Sequence, residues 1–379
     1  MKQVCIYCNR TSPDSNLWCQ ETHCKAELSP EILSYGEQLG DLEIVKPLVI
    51  LRSSTIYKVR QGEDLVFLKV AHNGYDERLK REARFLMELR QGAAPIGKSQ
   101  RRQNGNVQKL IQHYPMLPVL LPPYKGESIQ EYYYGKTVFH GESKYYTLFQ
   151  YIDSTPLRSI LYDNPQPWYK HVGQLMLAVT DAVALMHHQN VYHLCLCPDL
   201  IMVRFDRENV PRPLLIDLGV ACSEQDVGLE WESWLVPLAY RPPEVVQSGR
   251  IISAPATDVY GLGAILYELL AGRPLYEYRQ RTDADIRNSI LREQPAIINR
   301  SELAGIPEIA EQAVSKNYRL RQTDLLTLLA QLQNLFPVLP KEKQPRRINW
   351  QLLAVVAGVF LVITLLLVLA LSIQSAIQA

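Results

Sequence analysis

Tyr192-His193-Leu194-Cys195-Leu196-Cys197-Pro198-Asp199-Leu200-Ile201-Met202-Val203, followed a short hairpin later by Leu215-Ile216-Asp217-Leu218-Gly219, is the stretch whose reading decides the fold. Most of its residues are apolar or small, the pattern expected of a segment kept for packing. Cys195 and Cys197 read most simply as small buried apolar side chains. A thiol with an ordinary pKa of about 8.5 stays protonated beside apolar neighbours, which makes it a poor base. The sharper alternatives are a Cys195–His193 nucleophile pair, for which no orienting acid is apparent, and a metal or redox pair of Cys195 and Cys197.

Outward from this stretch, length and composition set bounds. A chain of 379 residues can carry two or three domains and bury a large core. Lys plus Arg number 40 against 39 for Asp plus Glu, so global charge points to neither nucleic acid nor an acidic partner, and no nucleic-acid binding is expected. The seven cysteines form two groups, Cys5, Cys8, Cys19 and Cys24 near the beginning and Cys195, Cys197 and Cys222 around the central stretch. An odd number clustered this way argues against a secreted disulfide framework. Met1-Lys2-Gln3-Val4-Cys5 opens no apolar run that could serve as a signal peptide.

Residues 1–28 contain Cys5-Ile-Tyr-Cys8 and Cys19-Gln-Glu-Thr-His-Cys24, separated by ten residues. This resembles a zinc ribbon, in which the two pairs give four thiolates to a structural Zn²⁺ that replaces a core the segment is too small to build. His23 could stand in for Cys24, and disulfides or free thiols are the alternative. From Asp41 the pattern changes. Apolar runs at Val45–Leu51, Thr55–Val59 and Leu65–Val70 predict antiparallel strands. Asp76–Leu89 has helical periodicity, with Leu79, Ala83, Leu86 and Met87 on one face. Residues 92–126 are loop-rich, and their basic run Lys98-Ser-Gln-Arg101-Arg102 reads as a solvated loop, with phosphate or lipid binding as the alternative. Strands resume at Thr137–His140 and Tyr145–Tyr151, Val172–Met186 predicts a long buried helix, and Glu302–Phe336 supplies the last helices.

Residues 337–351 form a linker with prolines and charges. Leu352–Leu371 is twenty predominantly apolar residues without a charge, and at about 1.5 Å per residue a helix of them spans the roughly 30 Å hydrocarbon layer. Lys341, Lys343, Arg346 and Arg347 precede it and the uncharged tail 372–379 comes after. The positive-inside rule then predicts a single-pass C-terminal anchor with the preceding domains in the cytoplasm. A buried soluble helix is the alternative.

Taken in order, the segments from about residue 41 to 336 resemble the protein kinase superfamily of the Ser/Thr type. His193 to Val203 has the spacing of H-R-D-L-K-P-x-N-I-L-V, and Asp217-Leu218-Gly219 that of D-F-G. Asp76–Leu89 stands at the αC helix, Tyr151–Arg158 at the hinge between lobes, Pro242-Pro243-Glu244 at A-P-E, and Thr257-Asp-Val-Tyr-Gly-Leu-Gly263 at the central helix beginning T-D-V-Y-S-L-G. Arg319 or Arg321 lies where the family has an Arg that pairs with the A-P-E Glu. The resemblance implies an α+β, bilobal kinase-like fold with a small β-rich N-lobe and a helical C-lobe, alongside the zinc ribbon and one transmembrane helix.

It also implies a site, from which this chain departs. Phosphotransfer needs a backbone cradle over the phosphates, a Lys held by a Glu, Mg²⁺ on an Asp and an Asn, and an Asp as base. The cradle G-x-G-x-x-G-x-V falls on Val49 to Ile56, with Val49, Leu51 and Ser54 in the glycine places, so an ordinary hairpin is expected there. Lys69 and Glu82 match the Lys and its partner, a pair that architecture alone can retain. Phe67 stands where a small Ala lies against adenine and Met202 on the opposite face, which fills the pocket from within. Asp217 is left to hold either a cation or Lys69. Leu200 replaces the metal-binding Asn, Cys195 the catalytic Asp, Cys197 the Lys, and Leu194 the Arg that would receive an activation-segment phosphate. Asp199, the one carboxylate near the loop, corresponds to a place facing away from substrate.

These residues predict a membrane-anchored cytosolic pseudokinase, a signalling scaffold or protein-binding module with structural zinc, a protein partner and no catalytic residue. They argue against ATP and Mg²⁺ as cofactors. The alternative is an ATP-dependent Ser/Thr-type kinase of residual or atypical activity that binds nucleotide through Lys69, Glu82 and Asp217.

Overall fold

The computed structural model describes residues 2–5, 11–12, 28–91, 116–139, 141–165, 167, 169–218, 221–223, 235–278, 281–298, 305–336 and 364. The chain divides into two units, Met1–Leu339 and Pro340–Ala379. In the first unit, strands β1 (Lys2–Cys5), β2 (Thr11–Ser12) and β3 (Leu28–Ile32) form a small antiparallel sheet in the order β2-β1-β3. Cys5 ends β1 opposite Leu28. Cys8, Cys19, His23 and Cys24 lie outside the described residues, as does the predicted span 352–371 apart from Thr364. Among the described residues no helix is long and apolar enough to cross a membrane.

A second sheet of the same unit has seven strands, β4 (Gln38–Leu39), β5 (Leu42–Ile50), β6 (Ser54–Gln61), β7 (Asp64–Ala71), β8 (Leu120–Leu121), β9 (Gly135–Phe139) and β10 (Glu142–Gln150). Its order is β4-β5-β6-β7-β10-β8, with β9 also paired to β10. The expected strands are present, and the sheet starts before Asp41 because Leu39 pairs with Leu42. Alternation along β7 sorts its side chains. Val66, Leu68 and Val70 join Leu42, Ile44, Tyr57 and Val59 in a core of the sheet itself, whereas Phe67 and Lys69 face the other way. Helix α1 (Asp76–Gln91) packs on that second face, with Asp76 and Glu77 in its first turn and Lys80 paired to both. Leu79, Ala83 and Leu86 are buried, while Met87 is only half-buried.

The helical half is built from α2 (Leu157–Asp163), α3 (Tyr169–His188), α4 (Pro243–Ser248), α5 (Ala254–Ala271), α6 (Asp283–Arg292), α7 (Ile306–Ala313) and α8 (Leu325–Leu335). The predicted helix at 172–186 is the middle of α3, which is buried almost throughout. Helix α5 shows why its sequence stops where it does. The Ser253 hydroxyl accepts from the Ala256 N–H, a proline sits in the first turn, and Gly272 closes the far end at φ 70°. Between α3 and α5 run β12 (Val191–Tyr192), β13 (Ile201–Phe205), β14 (Pro211–Leu215) and β15 (Cys222–Ser223). With β11 (Thr155–Pro156), which precedes α2, they pair as β11-β13-β14 and β12-β15.

The main core runs from α3 and α5 without a break into Val49, Leu51, Ile56, Phe67, Ala83 and Leu86. Apolar side chains thus bridge the two halves, through the space between the sheet and the central stretch.

Candidate functional site

The central stretch lies between β12 and β13, seated on α5. The buried carboxylate of Asp258 accepts from the backbone N–H groups of His193 (2.8 Å) and Leu194 (2.6 Å) and meets His187 Nε2 at 2.8 Å. Leu194 has φ 61°, a conformation that costs a non-glycine residue roughly 1–3 kcal/mol and that these bonds hold in place. At Gly261 an added Cβ would come within 2.8 Å of the Leu196 Cβ, so the loop approaches α5 as closely as glycine permits. Asp258 is visible in the quoted Thr257-Asp258 motif. Its task of gripping the loop backbone is a three-dimensional fact.

All three sequence-predicted polar residues of the cleft meet. Lys69 on β7 donates to Glu82 Oε2 on α1 and to Asp217 Oδ1, both at 2.5 Å. Glu82 Oε1 in turn accepts from the Leu218 N–H at 2.8 Å. Burial would lower the Lys69 pKa, but Asp217 and Glu82 more than compensate and raise it. Burial also raises that of Glu82 against the pull of Lys69. With 2 % exposure for Lys69 and 1 % for Glu82, the cluster is a sealed ion network, and removing one partner would strand a buried charge at about 3–5 kcal/mol.

Beside it is a cavity of about 10 Å³ lined by Ile56, Phe67, Pro118, Phe149, Met202, Leu214 and Ile216, with Lys69, Glu82 and Asp217 at its polar end. Such a volume holds about one water molecule. Phe67, 4 % exposed, enters it and meets Tyr151 edge to face at 5.0 Å. Phe67 and Met202 line the same cavity.

The segment in the cradle position is a closed hairpin. Ile50 pairs with Thr55, and the Leu51 N–H bonds the Ser54 carbonyl at 2.8 Å. His72, which sequence reading passes over, pins it from the end of the next strand. Its backbone N–H donates to the Ser53 carbonyl (2.9 Å), while its ring nitrogens contact Thr55 Oγ1 (2.8 Å) and the Arg52 carbonyl (3.2 Å). Burial lowers the His72 pKa to about 4, so the ring is neutral at ordinary pH.

Cys195, Cys197 and Leu200 are all buried. Burial, with the Asp217 carboxylate adding to it, pushes the Cys195 thiol well above its ordinary value, and burial with Asp199 does the same to Cys197. His193 is fully buried and its pKa is lowered by desolvation, so it is no imidazolium partner for Cys195. Asp199 points to Arg158, whose Nη2 donates to its Oδ2 at 3.0 Å. Of the two candidate arginines, Arg321 makes the pair with Glu244, a two-pronged contact at 2.7 Å on each oxygen. Asp217 is thus bonded to Lys69, and Phe67 lines the small cavity beside the pair.

The profile of the protein kinase domain matches residues 127–337, more than half of the chain. The chain belongs to the protein kinase family. It is similar to cyclin-dependent kinase 15 of Homo sapiens, with 26 % identity over 140 residues that cover 37 % of this chain and 31 % of that protein. Cyclin-dependent kinase-like 2 of Rattus norvegicus is 25 % identical over 179 residues, covering 45 % of this chain and 34 % of that one. A putative cyclin-dependent kinase F-2 of Oryza sativa subsp. japonica is 30 % identical over 144 residues, 36 % of this chain and 42 % of that one. The chain thus spans about a third to two fifths of the length of these curated relatives.

Proposed function

We propose that the chain is a kinase-shaped module that binds a protein partner from a membrane tether and transfers no phosphate. The observation that carries this reading is the apolar core continuing through the cleft, in which Phe67 takes the volume a purine would need. Lys69 committed to two carboxylates, Cys195 in the position of the base and Leu200 in that of the Asn support it. The test is thermal denaturation of the full chain in detergent with and without ATP and Mg²⁺, and the expected result is no shift. A shift that disappears in Asp217→Ala would overturn the reading.

Kinase activity, which the names of the cyclin-dependent relatives carry, is the second reading. It is favoured by one observation, that Lys69, Glu82 and Asp217 remain within bonding distance of one another. Transfer of labelled γ-phosphate that is abolished by Lys69→Met would establish it in place of the scaffold.

In the same proposal Cys5, Cys8, Cys19 and Cys24 hold one structural Zn²⁺, and the module they close is a second contact surface. Metal analysis of protein purified without chelator is expected to give about one zinc per chain, and its absence would remove that part. Residues 352–371 form the single span, so the chain stays in the membrane pellet after alkaline extraction. Release to the supernatant would sink the tether.

A further inference from the structure

Away from the cleft, a second, partly buried ionic network joins four parts of the helical half. Arg158 lies in the first turn of α2, a helix of seven residues with no side-chain cap at its start. Its Nη1 donates to Glu268 Oε1 (2.8 Å), Nη2 to Asp199 Oδ2 (3.0 Å) and to the Tyr240 hydroxyl (2.6 Å), and Nε to Asp199 Oδ1 (3.3 Å). The Tyr240 O–H donates onward to Glu268 Oε2 at 2.6 Å. The guanidinium also lies 5.3 Å from the Tyr240 ring centroid and 5.8 Å from that of Tyr278, within cation–π range.

Every carboxylate oxygen of the pair is bonded, so the network is a closed staple and leaves no open ligand position. Its chemistry decides what it holds. Guanidinium–carboxylate bonds are charge-assisted, and withdrawing the cation would leave the buried Glu268 without its charged partner and facing Asp199, whose side chain is partly exposed. Tyr240 belongs to the segment 235–241, whose Leu235, Val236, Leu238 and Ala239 are buried and whose Arg241 Nε bonds the Val236 carbonyl at 2.8 Å. The only charged group gripping this segment from α2 is Arg158 among the described residues.

We propose that Arg158 is an internal latch that keeps residues 235–241 seated on α5 and on the central stretch, with no modification or bound partner required. The inference is independent of whether the chain transfers phosphate. Hydrogen exchange measured by mass spectrometry on the full chain in detergent tests it. In Arg158→Met the amides of 238–241 are expected to exchange at least tenfold faster, while those of 176–183 in α3 keep the wild-type rate. Millimolar methylguanidinium should slow the variant back towards wild type and leave wild type unchanged. Unaltered exchange at 238–241, or the same acceleration in α3, would overturn the latch, as would failure of methylguanidinium to act. Should Arg158→Met fail to fold, Tyr240→Phe removes both hydroxyl bonds and keeps the ring. It must then show the same local acceleration, and uniform or absent change refutes the proposal.

Discussion

Replacing Phe67 by alanine separates a cleft closed by one side chain from a cleft that nucleotide opens unaided. The phenyl group is buried against Tyr151 and beside a cavity of about 10 Å³, so its loss is expected to cost about 3–5 kcal/mol. At about 2–4 °C per kcal/mol for a domain of a few hundred residues, Tm falls by about 6–20 °C. The space released is apolar and continuous with the existing cavity, which suits a nucleobase. Lys69 is still bonded to Glu82 and Asp217, so the ligand expected is adenosine and not ATP. Adenosine at a hundredfold its Kd would restore about 2.7 kcal/mol to the variant, a rise of several degrees in differential scanning fluorimetry, and would leave wild type unmoved. An equal adenosine shift in wild type would refute the argument, because the purine would then enter past Phe67. So would a loss of less than about 1 kcal/mol in the variant, which no well-packed phenyl group gives.

Three further outcomes rest on the geometry. Arg321→Met removes one side of the buried pair with Glu244 and should cost about 3–5 kcal/mol in urea denaturation; Arg321→Lys should recover little, since an ammonium cannot span both oxygens. His72 has its pKa lowered from 6.5 to about 4, so the unfolded chain takes up the proton first. Its contribution is complete above pH 6.5 and is lost as pH falls towards 4, an acid penalty of about 3 kcal/mol. Stability measured against pH should fall less steeply over that window in His72→Gln, and parallel curves would contradict the assignment. Cys195 and Cys197, buried with raised pKa values, should resist iodoacetamide at neutral pH until denaturant is added. Rapid native labelling of either would reopen a redox role.

How far the sequence can be read differs from residue to residue. The cleft side of β7 is legible because strand alternation and motif spacing agree on Phe67 and Lys69. Glu82 is reached through its place on the helix opposite. Asp217 stays divided between a cation and Lys69, since two residues 148 positions apart reveal no distance to a one-dimensional reading. The choice between Arg319 and Arg321 is open for the same reason. Only the fold shows that Arg321 is buried against α5, where it also bonds the Ala256 carbonyl. His72 and Arg158 carry no signal at all. A histidine after a strand and an arginine near a proline are ordinary residues until their partners, from distant segments, arrive beside them.

The bond from Lys69 to Asp217 also fixes an order of events during synthesis. Its two ends are 148 positions apart, and at about 5–20 residues per second the partner leaves the ribosome some 7–30 s after the lysine. Throughout that interval the nascent sheet has Lys69 and Glu82 to pair with each other, but Val49, Leu51, Ile56 and Phe67 have no opposing wall. Such a half-built domain displays an adhesive face for seconds, so holding chaperones are expected to engage the chain between emergence of β7 and emergence of Asp217. A kinase fold whose two halves are joined by so continuous an apolar core is, on the ribosome, a demanding client.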